Sequence, residues 1–581
     1  MINSGEACRG IALQCGIELM SGRIEMVRDR SGWLVRHDPD QSGIWRAEGT
    51  WTDTTLADHA REAASQAPDE VLLVDEDVEV TARKLLKKAE AAGKAMISSG
   101  LRPGDVISIM LPNWHEAAIL NLGATLAGLV VNPIIPIYRG AEVLHILRDS
   151  GSRMVFMPAT FRDFDYRELA REVSSKLERA PEFVVLRGEQ QEFVGYKSFL
   201  KRGRSSAEFP ETRGSDVMMV LYTSGTTGKA KGVLLTHNSG EVMVRDYDRC
   251  WGPWQGQTLL VASPVTHITG AIQALFVPIV CRAKVVLMDI WDPARALDLM
   301  IAHQANFMGG ATPFHQGFLE EARKRDEHMP SLRIIACGGA SVPPGLMRAE
   351  HEFFPNARVF RGYGCSEVPS ITEGTARRED IEYGAETDGW IGRTRVRLVR
   401  PGTDEEVGEG EEGEIQAFGA QIMAGYSRLE DNEAVFTEDS FFRTGDLGRM
   451  RDGYLTVTGR IKDLIIRNGE NLSAKEIEDA LEDLLGAKEV SVLGVPDART
   501  GERVCVAIVV ATGANPTLEE VAAHIAAKGL ARQKTPEQLC LVDALPRNLA
   551  GKVLKDVLRA EVLARLQSEA GAKSVSEVAA T

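Results

Sequence analysis

Apolar positions along this chain follow two alternating rhythms. In some windows they recur every three to four residues, which places them on one face of a helix. In others they form short continuous runs bounded by Gly, Pro or Asp, the mark of a strand buried on both faces. The pattern predicts a helix over 56–67, a strand over 71–75, a helix over 82–99 stopped by Gly100, a strand over 106–111, a helix over 117–128 and a strand over 130–134. Apolar runs at 154–157, 183–186, 259–262, 285–288 and 332–336 continue the series. Helices alternating with buried strands imply parallel sheets covered by helices. After Val396 short strands separated by Gly and Asp turns predict a small β unit. Beyond it, a helix over 476–485, strands over 490–495 and 504–511, and a helix over 518–528 predict an α+β unit. The first 50 residues hold no sustained rhythm and read as an irregular extension. The expected division is an extension over 1–50, a large α/β portion over 51–460 and a C-terminal unit over 461–581.

Composition narrows the class. The chain has 581 residues, 44% apolar and 26% charged, which is ordinary globular usage and excludes a disulfide miniprotein, a fibre or a disordered tail. Acidic residues outnumber basic ones, giving a net charge of −16. Such a chain repels nucleic acid and anionic membranes, and no basic run offsets that. Two charge-free stretches, 117–138 and 251–281, are long enough to span a bilayer. Asn121, Asn132, Pro133 and Pro136 in the first, and Pro253, Pro264, His267 and Pro278 in the second, favour buried helix turning into strand, so no span is expected. The apolar patch at 11–19 is interrupted by Gln14 and Glu18, and no signal peptide is expected. The eight cysteines form no C-x-x-C pair, which predicts reduced thiols and a cytoplasmic location.

The strongest chemical signal is the stretch from Leu221 to Val233, Leu-Tyr-Thr-Ser-Gly-Thr-Thr-Gly-Lys-Ala-Lys-Gly-Val. Four Ser/Thr hydroxyls, three glycines and two lysines sit between strand-like flanks. Glycines let backbone N–H groups approach an anion, hydroxyls donate and lysines supply charge. That is what a polyphosphate requires in an acidic protein. The Walker A spacing fails, and a strand rather than a helix follows. A second Gly-rich stretch, Gly408 to Gly413, carries three glutamates that would repel a pyrophosphate and reads as a solvated turn. Gly362-Tyr363-Gly364-Cys365-Ser366-Glu367 offers hard oxygens suited to Mg²⁺ and an aromatic ring suited to a base. Thr444-Gly445-Asp446 offers a carboxylate able to accept from a ribose diol. The charged turn from Gly459 to Asp463 and the stretch from Pro546 to Lys555 complete the series.

In this order the segments resemble the adenylate-forming superfamily, which includes acyl-CoA synthetases, peptide-synthetase adenylation domains and beetle luciferases. The resemblance runs from about Thr52 to Lys555, with Ala230, Ser366 and Asn548 in place of the usual proline, threonine and threonine. It implies a large N-terminal domain of doubly wound α/β subdomains plus a small β-barrel, followed by a mobile α+β C-terminal domain. It implies two half-reactions with ATP, Mg²⁺ and coenzyme A, through an acyl-adenylate. By family role, Thr223, Ser224, Gly225, Thr226, Thr227 and Lys231 would hold phosphates, with Glu367 and Thr226 at the magnesium ion. Gly339 and Ala340 would border the adenine, Tyr363 and Gly364 would belong to the same nucleotide site, and the Ser366 hydroxyl would keep a metal or phosphate contact. Asp446 and Arg460 would bind the ribose side, and Lys552 would bridge the substrate carboxylate and the α-phosphate. Lys462 occupies the hinge position, and Asn468, Gly469 and Glu470 would shape the CoA channel. His267, Ile268, Ala271, Thr312, Cys365 and Val368 would line the acid pocket.

These small or apolar pocket residues favour a bulky apolar acid, alicyclic, aryl-alkanoic or medium-chain, over an amino acid. The rival readings are an adenylation enzyme loading a separate carrier protein and a non-catalytic acyl-binding or uptake protein. Retention of Glu367, Asp446, Arg460 and Lys552 argues for the enzyme. The sequence is compatible with a monomer or a homodimer.

Overall fold

The computed structural model describes residues 24–203, 207–223, 230–339, 342–468, 470–497, 499–547 and 552–578. Two large, mainly parallel sheets organise the N-terminal portion. The first places its eight strands in the order Val194–Gly195, Glu182–Leu186, Met154–Pro158, Val106–Ile109, Val130–Pro133, Val217–Thr223, Lys231–Thr236 and Gly425–Tyr426. The second has seven, in the order Arg358–Gly362, Ile334–Gly338, Phe307–Gly310, Thr258–Val261, Lys284–Leu287, Val71–Asp75 and Val78–Thr81.

Strand periodicity fixes the layers. Leu73 and Ile107 point into one shared cluster between the sheets, together with Leu85, Met96 and Leu122 from helices. Their neighbours point the opposite way. Val74 joins an outer cluster with Leu297, Met300 and Phe318, and Val106 joins another with Val143, Ile146 and Leu169. Every residue of the helix His115–Leu126 is buried, which explains why apolar residues lie on all its sides after the first turn, with Asn121 and Thr125 the exceptions. It crosses the helix Ala82–Ser98 at two glycines: a Cβ at Gly93 would stand 2.6 Å from the carbonyl oxygen of Gly123. Among the described residues no helix is long and apolar enough to cross a membrane.

Three expectations need correction. Residues 24–50 are not irregular: Glu25–Arg28 pairs with Leu34–His37, and a helix spans Pro39–Ala47, capped by Asp38. This segment docks on the rest. Arg36 N donates to Ala424 O at 2.8 Å and Trp45 stacks on Phe418, and just past its end the Trp51 indole donates to Ala420 O at 3.0 Å. Its apolar contacts are few and widely spaced, which is why no rhythm marks it. The small β unit is an open four-stranded antiparallel sheet, Arg395–Val399, Gly413–Phe418, Phe442–Arg451 and Tyr454–Arg460, not a closed barrel. Its first and last strands do not pair with each other. The helix expected over 476–485 spans Ala474–Ala480: Ser473 caps it and accepts from Glu476 N, which sets its start two residues earlier, and it ends at the C-cap Leu481.

The C-terminal unit pairs Glu470–Ser473, Leu464–Arg467, Gly501–Val510 and Ala487–Asp497, with Gln538–Val542 added beside Gly501–Val510. Its own core includes Ile465, Ile477, Val506 and Val521.

Candidate nucleotide and acid site

A cavity of about 1280 Å³ lies where the first sheet, the second sheet and the C-terminal unit meet. It opens at the carboxyl ends of Phe307–Gly310, Ile334–Gly338 and Arg358–Gly362, where parallel α/β sheets hold their ligands.

The described ends of the segment expected to hold phosphates are paired antiparallel strands. Thr223 ends one strand and stands opposite Lys231, which begins the next. Ser224, Gly225, Thr226 and Thr227 lie outside the described residues. Lys231 Nζ is 3.3 Å from Asp431 Oδ1 and 5.1 Å from the Tyr426 ring centroid. The base of the hairpin is tied by Asp149, which accepts from Tyr222 OH at 2.6 Å and from Ser427 Oγ at 2.7 Å. Tyr426 OH donates to Glu367 Oε1 at 2.7 Å, so the carboxylate is held in place at the cavity wall. With the Ser366 hydroxyl beside it, this is a hard-oxygen set that fits a magnesium ion keeping most of its waters.

The ribose segment is equally defined. Asp446 and Arg460 are opposite residues on the strands Phe442–Arg451 and Tyr454–Arg460. Arg460 Nε donates to Asp446 Oδ1, and Tyr363 OH donates to Oδ2 at 2.7 Å. Burial opposes the Arg460 charge, but Asp446 outweighs it and keeps the guanidinium protonated. Burial, then the Asp446 charge, pushes the Tyr363 phenol well up, so it remains a neutral donor. Gly445 takes φ +69°, the left-handed conformation that turns Asp446 inward. Gly338, Gly339 and Gly364 border the cavity, and a Cβ at Gly364 would meet Pro369 O at 2.4 Å. Ala340 lies outside the described residues.

Lys552 reaches this cavity from the C-terminal unit. Loss of surrounding water, then repulsion from Arg460, lowers its ammonium to about 8. Lys462, on the tight turn Ile461–Asp463, also lines the cavity. Asn468 and Glu470 do not: they sit at the tip of the hairpin joining Leu464–Arg467 to Glu470–Ser473. Asn468 adopts φ +52° and donates its N–H to Thr500 O at 2.8 Å. Gly469 lies outside the described residues.

At the other end the cavity becomes apolar. His267, Ile268, Thr312 and Cys365 line it as expected. Burial lowers the His267 imidazole to about 4, so it is neutral at pH 7. Burial likewise pushes the Cys365 thiol well up. Ala271 and Val368 do not line the cavity; both are fully buried in the core behind it, because their helix and loop turn them inward. Sequence reasoning passed over the aromatic wall here. Tyr247 and Trp251 stack with centroids 4.3 Å apart, and Trp251 Nε1 donates to Glu373 O at 3.0 Å. Helical spacing of four between these two aromatics was the available signal. Asp149, Tyr426 and Asp431 were also passed over; each acts through a partner distant in sequence, and no local spacing marks them.

Comparison with known proteins agrees with this geometry. The AMP-binding enzyme family matches residues 60–427, and the AMP-binding enzyme C-terminal domain matches 476–552. The medium-chain fatty-acid–CoA ligase of Escherichia coli (strain K12) is 30% identical over 90% of this chain and 93% of its own length. A salicylyl-CoA synthase / salicylate adenylyltransferase from a Streptomyces species is 31% identical over 89% of this chain and 96% of its own. Among solved structures, ATP-bound MatB from Rhodopseudomonas palustris superposes with a TM-score of 0.78 at 26% identity, covering 87% of this chain and 99% of that one. The phosphate hairpin, the Asp446–Arg460 pair and Lys552 on one cavity thus have their explanation: the chain belongs to the AMP-binding enzyme family of adenylate-forming enzymes.

Proposed function

We propose that this protein is an AMP-forming acid–thiol ligase that joins an apolar carboxylic acid, alicyclic, aryl-alkanoic or medium-chain, to coenzyme A. The observation that carries this reading is the single cavity with a charged end at Lys231, Glu367, Asp446, Arg460 and Lys552 and an apolar end at Tyr247, Trp251 and Ile268.

In the first half-reaction a carboxylate oxygen of the acid attacks the α-phosphorus of ATP, and the bond to pyrophosphate breaks. Negative charge gathers between the carboxylate and the α-phosphate, where the Lys552 ammonium neutralises it. The Thr223–Lys231 hairpin holds the phosphates, and Asp446 accepts from the ribose hydroxyls. Magnesium, held by Glu367 with the help of Thr226, would screen the phosphate charge. Neutral His267 borders the carboxylate without adding charge. In the second half-reaction the thiol sulfur attacks the acyl carbon and AMP leaves. Lys552 sits at the cavity and the Asn468–Glu470 hairpin does not, which is the arrangement the first half-reaction needs. The second needs the C-terminal unit to turn about Lys462 and bring that hairpin in. In this reading the boundary between 51–460 and 461–581 falls at this junction, beside Lys462. The acidic net charge and unpaired cysteine spacing suit a cytoplasmic enzyme.

The test is acid-dependent pyrophosphate release, with acyl-CoA detected by mass, across alicyclic, aryl-alkanoic, medium-chain and amino acids. The expected result is best turnover on an apolar acid with acyl-CoA and AMP as products. Best turnover on an amino acid, or no CoA thioester, overturns the reading.

A further inference from the structure

Behind the apolar end of the cavity, Ile268–Ala271, Ile272–Phe276 and Val277–Val280 run on as one helix whose middle turn is π-wound. A π turn inserts an extra residue and moves a side chain off the regular stripe. Gln273 sits in that turn and borders the cavity. It is 7% exposed, and its amide oxygen has no hydrogen-bond partner. The amide nitrogen lies over a glycine: a Cβ at Gly309 would stand 2.9 Å from Nε2. Thr266 Oγ1, on the same cavity, is likewise buried and unpartnered.

A buried amide left unpaired is costly, whereas a Leu or Met of similar volume would cost nothing in this apolar setting. Two such atoms at the acid end of one cavity call for a partner that arrives with the ligand. We propose that Gln273 is a specificity-determining residue that reads a hydroxyl on the acid, and that the substrate is a hydroxylated cyclic acid. A hydroxyl both donates and accepts, so it answers the amide in either orientation. The stacked Tyr247 and Trp251 supply a flat apolar wall for the ring. This inference rests on the ligase reading and narrows its substrate class.

The test is the ratio of kcat/KM for a hydroxylated acid to that for its unsubstituted parent, read as acid-dependent AMP formation. Benzoate, 3-phenylpropanoate and cyclohexanecarboxylate series, hydroxylated at each ring position, are compared in the wild type, Gln273→Leu and Gln273→Met. A ratio taken on one enzyme preparation cancels the folded fraction. In the wild type at least one positional isomer should exceed its parent by about tenfold or more. In both variants that ratio should fall to within about twofold of unity, with KM for ATP unchanged. Turnover of cyclic acids with no hydroxyl preference, or a preference that survives in both variants, overturns the inference and leaves the ligase reading standing. Turnover of linear acids alone does the same. Absence of AMP formation with every acid overturns both.

Discussion

Asp446 and Arg460 face each other across neighbouring antiparallel strands, with the guanidinium donating to one carboxylate oxygen while Tyr363 donates to the other. The pair joins the last strand before the C-terminal unit to the strand and loop that border the cavity. Asp446→Asn keeps the shape but removes the charge that both donors address. KM for ATP should rise about tenfold to a hundredfold, with a smaller change in KM for the acid. Initial rates at varied ATP decide this, and an unchanged KM for ATP would remove Asp446 from the nucleotide site.

The proposed role of Lys552, at the cavity but on the C-terminal unit, is confined to adenylation. Lys552→Ala should abolish acid-dependent pyrophosphate release and largely spare thioester formation from added acyl-adenylate; equal loss of both would sink the division of roles. Its pH dependence has a definite sign. The ammonium is the working form, and its value is lowered to about 8, so kcat/KM for adenylation should fall as pH rises through that value. Bound ATP is anionic and favours the charged form, so the fall in kcat should come at higher pH. Lys552→Arg should work more slowly and lose this alkaline fall.

Asp75, His115 and Glu116 meet in a buried cluster at the junction of the two large sheets. The Arg187 guanidinium already occupies its centre, bonded to Asp75 and to both oxygens of Glu116, and lies over the Trp114 ring. Arg187→Leu would leave two buried carboxylates without their cation and should destabilise the N-terminal portion by about 3–5 kcal/mol, read as a lower melting temperature. Burial alone would raise the Asp75 carboxyl, but its bonds to His115 and Arg187 hold it below the ordinary value. A carboxylate depressed in the fold stabilises it above the unfolded value, near pH 4, and that contribution is lost as pH falls through the depressed value. The acid-induced transition should therefore differ between wild type and Arg187→Leu, and coincident transitions would contradict the assignment.

Residues 24–50 dock on the rest of the chain through Trp45, which packs on Trp51 and on Phe418. Phe418 ends a strand of the sheet that carries Asp446. Trp45→Ala should lower stability by about 1–3 kcal/mol without changing the preference among acids. Thermal melts and the acid screen check both halves, and an unaltered melt would show that this contact adds nothing to the fold.

How far each feature could be foreseen follows from how local its cause is. The strand Val71–Asp75 and the helix starting at Leu56 appear where the apolar rhythm places them, because burial of a strand or one helix face is written in neighbouring residues. The phosphate segment is legible for a related reason, since an anion site needs glycines, hydroxyls and lysines close together in sequence, whereas Asp446 and Lys552 stand out only through the resemblance of the ordered segments. Placement of the Asn468–Glu470 hairpin away from the cavity was not legible, since it depends on how the C-terminal unit sits.

By itself, then, the sequence determined the parallel α/β layering, the acidic net charge that leaves anion binding to local groups, and the identity of the chemical segments. Only the tertiary structure decided which distant residues complete them. Asp149 grips Tyr222 and Ser427 from another helix, Tyr426 orients Glu367, and Ala271 and Val368 turn into the core while Gln273 and Trp251 border the cavity. The physical reason is range. Backbone preference and amphipathic pattern act over a few residues, whereas a cavity wall is set by packing and hydrogen bonds between segments hundreds of residues apart.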